Sequence, residues 1–197
     1  MSVVTQARFI PAKMNQKTID KQKNPKIDTK DPLRFRAQLR SEKGTYALIM
    51  RCFQNKLIPV GRLGIVQLEN THYIYVGSAF GPGGVRARVS HHLRKKGSNH
   101  WHIDYLTNDC VIESVWYTYD PVKREHLWVE TFAKMKDSRE PFPGFGASDH
   151  RGNSHLYCFQ QCPSLDGFRK ALLAHQPKHE SVFELNANYL VNTKACL

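Results

Sequence analysis

The stretch Tyr73-Ile74-Tyr75-Val76-Gly77-Ser78-Ala79, followed closely by Gly81-Pro82-Gly83-Gly84, decides how this chain is read. Aromatic and β-branched residues from Tyr73 to Val76 suit a compact strand, and Gly77-Ser78 ends it. The glycines and proline at 81–84 then turn the backbone ahead of Val85, Val89, His92 and Leu93. Their spacing of 4, 3 and 1 puts all four on one face of a helix. The opposite face carries Arg86 and Arg94, with Arg88 at its border. Strand, tight turn and basic helix therefore follow in direct succession. The glycine-rich turn lacks the Lys-Ser/Thr of a phosphate-binding loop, so it is no nucleotide signature.

Working outward, Thr45 to Phe53 is a strand-like apolar run opened by Gly44, and a second apolar stretch lies at Leu57 to Val60. On the other side, His100 to Leu106 suits a short helix or turn, and Val111 to Tyr119 reads as a strand. A helix is expected over Val122 to Met135, with Pro121 at its start, where a missing N–H costs nothing. A Pro and Gly loop at Pro141 to Gly146 precedes a short strand at Leu156 to Phe159 and a helix from Leu165 to His175. The tail after Gln176 is expected to be weakly structured. This order predicts an α+β fold with a small, mostly antiparallel, three-stranded central sheet flanked by helices.

The 197 residues include 29 Lys and Arg against 17 Asp and Glu, a net charge of +12 that points to polyanionic partners. A hydrophobic content of 41% supports a real core and excludes wholesale disorder. Residues 1–43 hold 11 Lys and Arg against 4 Asp and Glu, a net of +7, and the run Asn15 to Lys30 offers almost nothing to bury. Three segments follow: a basic flexible arm at 1–43, a folded domain at 44–160, and a C-terminal helix and tail at 161–197. The arm is either an electrostatic tether for nucleic acid or a solubilising extension. No window is apolar enough for a membrane span, and Met1 to Ile10 lacks the apolar core of a secretory signal. Five cysteines with no CxxC pair suit a reducing compartment, so a cytoplasmic protein is expected.

Four elements in order carry the chemistry: Gly44-Thr45-Tyr46, Tyr75-Val76-Gly77-Ser78-Ala79, Arg88 with His92 one helical turn on, and Arg124-Glu125-His126-Leu127-Trp128-Val129. Together with Gly81-Pro82-Gly83-Gly84, His100-Trp101-His102-Ile103-Asp104-Tyr105 and Gly144-Phe145-Gly146-Ala147-Ser148-Asp149, they resemble the GIY-YIG nuclease superfamily, and within it a poorly characterised branch. The resemblance spans residues 44–160. It implies a metal-dependent DNA endonuclease that hydrolyses phosphodiester bonds, with RNA not excluded as substrate. It further implies Tyr46, Tyr75, Arg88, His92 and Glu125 as catalytic residues, and Glu125 as ligand of one Mg²⁺ or Mn²⁺ ion. Arg86, Arg94, Lys95 and Lys96 would contact nucleic acid. Family members often place an asparagine after the last strand; here that region reads Ser148 to Asn153, and no residue matches it.

The residues suit that chemistry. Hydrolysis of a phosphodiester needs an activated water, neutralised phosphoryl charge and a stabilised leaving oxygen, and a hard cation on one carboxylate serves the second need directly. An arginine fork matches phosphate. Tyrosine ordinarily loses its proton only near pH ~10, so a tyrosine base needs help from its surroundings. Tyr46 is assigned as base and Tyr75 as positioner of water or phosphate. Glu130, roughly 140° around the helix from Glu125, is the rival carboxylate. Two other readings stay open: a non-catalytic nucleic-acid binding module, and a zinc hydrolase drawing on the histidines, although no HExxH motif is present. Within the Trp101 to Tyr105 element, His102 and Asp104 are expected to hydrogen-bond near the site.

Overall fold

The computed structural model describes residues 38–94, 101–146 and 154–187. Most of the basic arm, Lys95, Lys96, the Ser148 to Asn153 stretch and the end of the tail lie outside them. In chain order the elements are β1 (Thr45–Arg51), β2 (Lys56–Pro59), a 3₁₀ turn (Gly61–Leu63), β3 (Ile65–Leu68), β4 (His72–Ser78), α1 (Gly84–Leu93), α2 (His102–Thr107), β5 (Val111–Thr118), α3 (Glu125–Lys134), β6 (Leu156–Phe159), α4 (Leu165–His175) and β7 (Phe183–Asn186).

The sheet has five strands in the order β6-β4-β1-β5-β7, with every neighbouring pair antiparallel. The α+β class and antiparallel sheet match the sequence reading; the strand number, three, does not. β6 adds to the outer edge of β4, and β7, in the tail expected to be weakly structured, adds to β5. A four-residue strand with one buried side chain, Leu185, has little local signal. Its order comes from pairing with Ser114–Tyr117 and from the indole N–H of Trp116 donating to Glu184 at 2.9 Å. β2 and β3 form a separate hairpin.

Strand alternation sorts the apolar residues onto two faces. Tyr46, Leu48 and Met50 of β1, with Tyr73 of β4 and Leu156 and Cys158 of β6, join one core, completed by Val85 and Val89 of α1, Ile103 and Leu106 of α2, and the β2–β3 hairpin. Ala47 and Ile49, with Ile74, Val76, Trp116, Tyr157 and Phe159, join the other, under Trp128, Val129 and Phe132 of α3 and Phe168 and Leu172 of α4. Both faces are covered, which is why β1 reads as an unbroken apolar run. Leu39, which composition placed in the arm, is buried in the first core, and the carbonyls of Arg40 and Glu42 accept from the N–H groups of Arg86 and Val85.

Helix α3 starts at Glu125, three residues later than expected. Asp120 explains the delay: its carboxylate accepts from Val122 N–H at 2.8 Å and pairs with Arg124 Nε at 2.7 Å, holding residues 120–124 as a turn. Arg124 N–H then donates to Thr45 Oγ1 at 3.2 Å, tying the helix start to β1.

If β7 completes the sheet, Leu185→Ala should lower the unfolding free energy by about 2–3 kcal/mol in a urea titration, the cost of emptying a buried leucine site. An unchanged midpoint would return the tail to a loosely attached segment.

Candidate active site

Each residue of Gly44-Thr45-Tyr46 serves a different neighbour. A Cβ on Gly44 would lie 1.9 Å from the carbonyl oxygen of Thr118, so only glycine lets β5 approach there. Thr45 turns to the second core and holds the start of α3. Tyr46 turns to the first core, and its ring lies across Gly77, its register partner on β4. A Cβ on Gly77 would come within 2.4 Å of the Tyr46 Oη and Cζ atoms. The glycine of Tyr75-Val76-Gly77 therefore exists to seat the tyrosine of the neighbouring strand.

The seated Tyr46 hydroxyl meets His92 Nε2 at 2.8 Å in a buried hydrogen bond. Tyr75, two residues from Gly77 and on the same face, is partly buried, with its ring edge-on to His92 at 6.4 Å. A side chain on Gly146, which has φ of +79°, would press on Tyr75 and His155 at 3.1 Å, so this glycine in the Pro141–Gly146 loop lets the loop close over them. Arg88, one turn before His92 on α1, is partly buried, its guanidinium carbon 4.8 Å from the centre of the Trp101 ring. Glu125, the first residue of α3, is buried; its Oε1 lies 3.6 Å from His155 Nδ1 and its Oε2 2.9 Å from Lys123 Nζ. Glu130 faces solvent and pairs with Lys134. Arg86 and Arg94 are exposed, Arg94 donating to the Ser90 carbonyl at 3.0 Å, while Lys95 and Lys96 lie outside the described residues.

The structure thus gathers Tyr46, Tyr75, Arg88, His92 and Glu125 at one end of the sheet, where they act on one another electrostatically. Burial pushes the Tyr46 hydroxyl well above the ordinary tyrosine range; Tyr75, Glu125 and Asp104 add to the rise, and Arg88 opposes it. Tyr75 is raised as well, by burial first and then by Glu125 and Asp104, with Arg88 again opposing. Burial lowers His92 to about 4, against the pull of Asp104, so its imidazole is neutral at pH 7.

Four further residues frame the site. Asp104 is buried on α2; its Oδ2 accepts from Trp101 N–H at 3.0 Å, and its Oδ1 lies 3.6 Å from His91 Nε2 and 3.9 Å from His92 Nδ1. Trp101 packs against both histidine rings. His155 and Lys123 flank Glu125. Asp104 was expected near the site; the roles of Trp101, His155 and Lys123 escaped the sequence reading, because each depends on which segments pack together. His102, also expected near the site, packs its ring on Phe145 at 5.6 Å.

A family model for a domain of unknown function, DUF123, matches residues 45–175, and the chain belongs to this GIY-YIG-like, nuclease-related family. No curated protein and no solved structure matches it. Among the described residues, no helix is long and apolar enough to cross a membrane.

His92 makes folding pH-dependent in a definite direction. Its folded value of about 4 lies below the ordinary 6.5, so the unfolded chain takes up a proton that the folded one refuses. Its contribution is whole above pH 6.5 and is lost as pH falls toward 4, a total of about 3 kcal/mol. Denaturant titrations in EDTA should show wild type losing stability over that window faster than His92→Gln, and parallel curves would contradict a buried neutral imidazole.

Proposed function

We propose that this domain is a divalent-metal-dependent endonuclease that hydrolyses phosphodiester bonds in DNA. The observation that carries the reading is the gathering of a hydrogen-bonded Tyr46–His92 pair, Tyr75, Arg88 and the buried Glu125 carboxylate at one end of a basic domain.

Glu125 fits a magnesium-class ion: it offers hard carboxylate oxygens, and such an ion takes one or two carboxylates and fills its remaining positions with water and phosphate. Lys123, whose side chain is 53% exposed, contacts one of these oxygens and would turn outward to solvent for the cation to bind. Bound there, the cation would neutralise phosphoryl charge and polarise the scissile phosphate.

The protein's own groups supply the proton handling. A buried tyrosine with raised proton affinity does not ionise at pH 7 by itself. Tyr46 instead works with His92: as the hydroxyl takes the proton of the attacking water, its own proton passes to Nε2 of the neutral imidazole. Burial opposes that protonation of His92, and Asp104 Oδ1, 3.9 Å from Nδ1, offsets part of the cost by steadying the imidazolium that forms. Water oxygen bonds to phosphorus as the bond to the leaving oxygen breaks, and that oxygen takes a proton from solvent. Arg88 stands where a guanidinium can meet charge developing on the phosphoryl oxygens. Tyr75 positions water or phosphate. Arg86 and Arg94, exposed on α1, extend a positive face along the nucleic acid.

The Lys123–Glu125 contact favours the second reading, a nucleic-acid binding module without cleavage, because it places a protein cation on the proposed metal ligand.

Plasmid, branched and single-stranded DNA incubated with Mg²⁺ or Mn²⁺ separate the two. The nuclease reading expects cleavage by wild type and none by Glu125→Ala, with DNA binding retained because the basic face is intact. Tyr46→Phe should slow cleavage by on the order of 100-fold or more, and Arg88→Ala by roughly 100- to 1,000-fold. Folded wild type that binds DNA in EDTA and cuts none of these substrates would establish the binding module instead.

A further inference from the structure

The buried imidazole of His92 has one nitrogen that no hydrogen bond satisfies. Nε2 meets Tyr46, but Nδ1 has no hydrogen-bond partner, although the residue is only 7% exposed. Among the described residues His72 Nδ1, Ser90 Oγ and Ser138 Oγ are buried without a partner as well, and a buried polar atom in that state calls for one. The atoms around His92 Nδ1 are of types that can ligate a metal: among the described residues, His91, His92 and Asp104 form a group of potential ligands, one donor atom from each lying within 4.8 Å of the others.

We infer that His91, His92 through Nδ1 and Asp104 through Oδ1 form a binding site for a zinc-class transition-metal ion, separate from the carboxylate of Glu125.

Three features support the assignment. First, the spacing is close to what the ion requires. Ligands at 2.0–2.1 Å in a tetrahedron stand about 3.3 Å apart, and Asp104 Oδ1 is 3.6 Å from His91 Nε2 and 3.9 Å from His92 Nδ1. The two imidazole donors lie within 4.8 Å of one another, and closing on an ion would draw all three atoms inward. Second, the outer partners are those that orient metal ligands. Asp104 Oδ2 is held by Trp101 N–H at 3.0 Å, which leaves Oδ1 toward the imidazoles, and His92 Nε2 is engaged by Tyr46 on the far side of its ring. The Trp101 indole, 4.5 Å from the His91 ring, supplies an apolar wall. Third, the donor set selects the metal class. Two imidazole nitrogens and one carboxylate suit zinc, cobalt or nickel better than magnesium, which prefers oxygen alone. Arg88 lies close by over Trp101 and repels cations, so an ion bound mainly by charge is disfavoured against one bound through nitrogen.

Occupancy has a consequence for the neighbouring hydroxyl. With the metal on Nδ1, the remaining imidazole hydrogen sits on Nε2 and points at Tyr46 Oη. His92 then donates to Tyr46 and is unable to accept its proton. Under the nuclease reading, on which this consequence rests, the site governs whether the Tyr46–His92 pair can pass a proton. A transition metal would hold the domain in a resting state even with magnesium present.

The test uses the metal-stripped full-length chain, without nucleic acid and in excess Mg²⁺. Titration with Co²⁺, followed by its visible d–d absorption, should show one tetrahedral-type site that Zn²⁺ displaces. Asp104→Asn and His91→Gln should each weaken that binding at least tenfold, whereas Glu125→Ala should leave it unchanged. Nitrogen NMR on wild type needs no variant: Zn²⁺ should move His92 to the form protonated on Nε2. No saturable Co²⁺ or Zn²⁺ binding by the folded chain overturns the site. So does binding that survives Asp104→Asn and His91→Gln, or an unchanged His92 tautomer. Because no cleavage is measured, loss of the nuclease reading leaves the metal result standing, and the reverse holds equally.

Discussion

The contact on which the site depends is the Tyr46 ring lying across Gly77, with its hydroxyl bonded to His92. It joins three elements at once. β1 supplies the ring, β4 supplies the gap, and α1 supplies the imidazole at its last turn. Any other residue at 77 would push the ring off the sheet and break the bond to the helix. Register follows from the same contact, since a slip of one residue would turn Tyr46 away from α1 and set a bulky side chain beneath it. Val85 and Val89, both fully buried, secure the rest of α1 against the sheet, so the hydrogen bond is held by packing rather than made at the expense of order.

The site lies where the two cores meet. Tyr46, Tyr75 and His92 belong to the face packed by α1, whereas Glu125 heads a helix that packs on the opposite face. Thr45 joins them, because adjacent residues of one strand point to opposite sides: its hydroxyl holds the start of α3 while Tyr46 holds α1. Burial then sets the electrostatics. Two tyrosines that resist ionisation and a histidine that resists protonation share a space with two carboxylates and one arginine. Such a site favours added positive charge beside Glu125 and negative charge beside Arg88.

Much of this was legible in the sequence, and what was missed has physical reasons. The motifs around Tyr46, Tyr75, Arg88, His92 and Glu125 were readable because they combine local geometry with side-chain chemistry: a glycine beside a strand, a histidine one turn after an arginine. Helical geometry separated Glu125 from Glu130 by angle, and the flanking Arg124 and Trp128-Val129 pointed to Glu125, which is the one the fold buries while Glu130 faces solvent. The α4 boundaries and the span of β6 were read correctly because Ser164 caps the helix, its side chain accepting from Gly167 N–H, and because Leu156 to Phe159 is apolar throughout. β7 was missed since a mostly exposed four-residue strand owes its order to a partner far away in sequence. His155 and Lys123 were missed for the same reason: nothing near them announces that Glu125 will lie beside them.

The strand order has a consequence for how the chain is made. β1 is the central strand and the earliest of the five to be synthesised, yet its two edges are filled by β4, beginning at residue 72, and by β5, beginning at residue 111, while the outer edge of β5 waits for β7 at residue 183. Thr45 must find both Ser78 and Thr118. A ribosome therefore displays β1 with one edge open until β5 emerges, and closure of the sheet is limited by long-range pairing. The basic segment that emerges ahead of β1, carrying a net +7, is well placed to keep nascent chains apart by mutual repulsion until the last strand arrives.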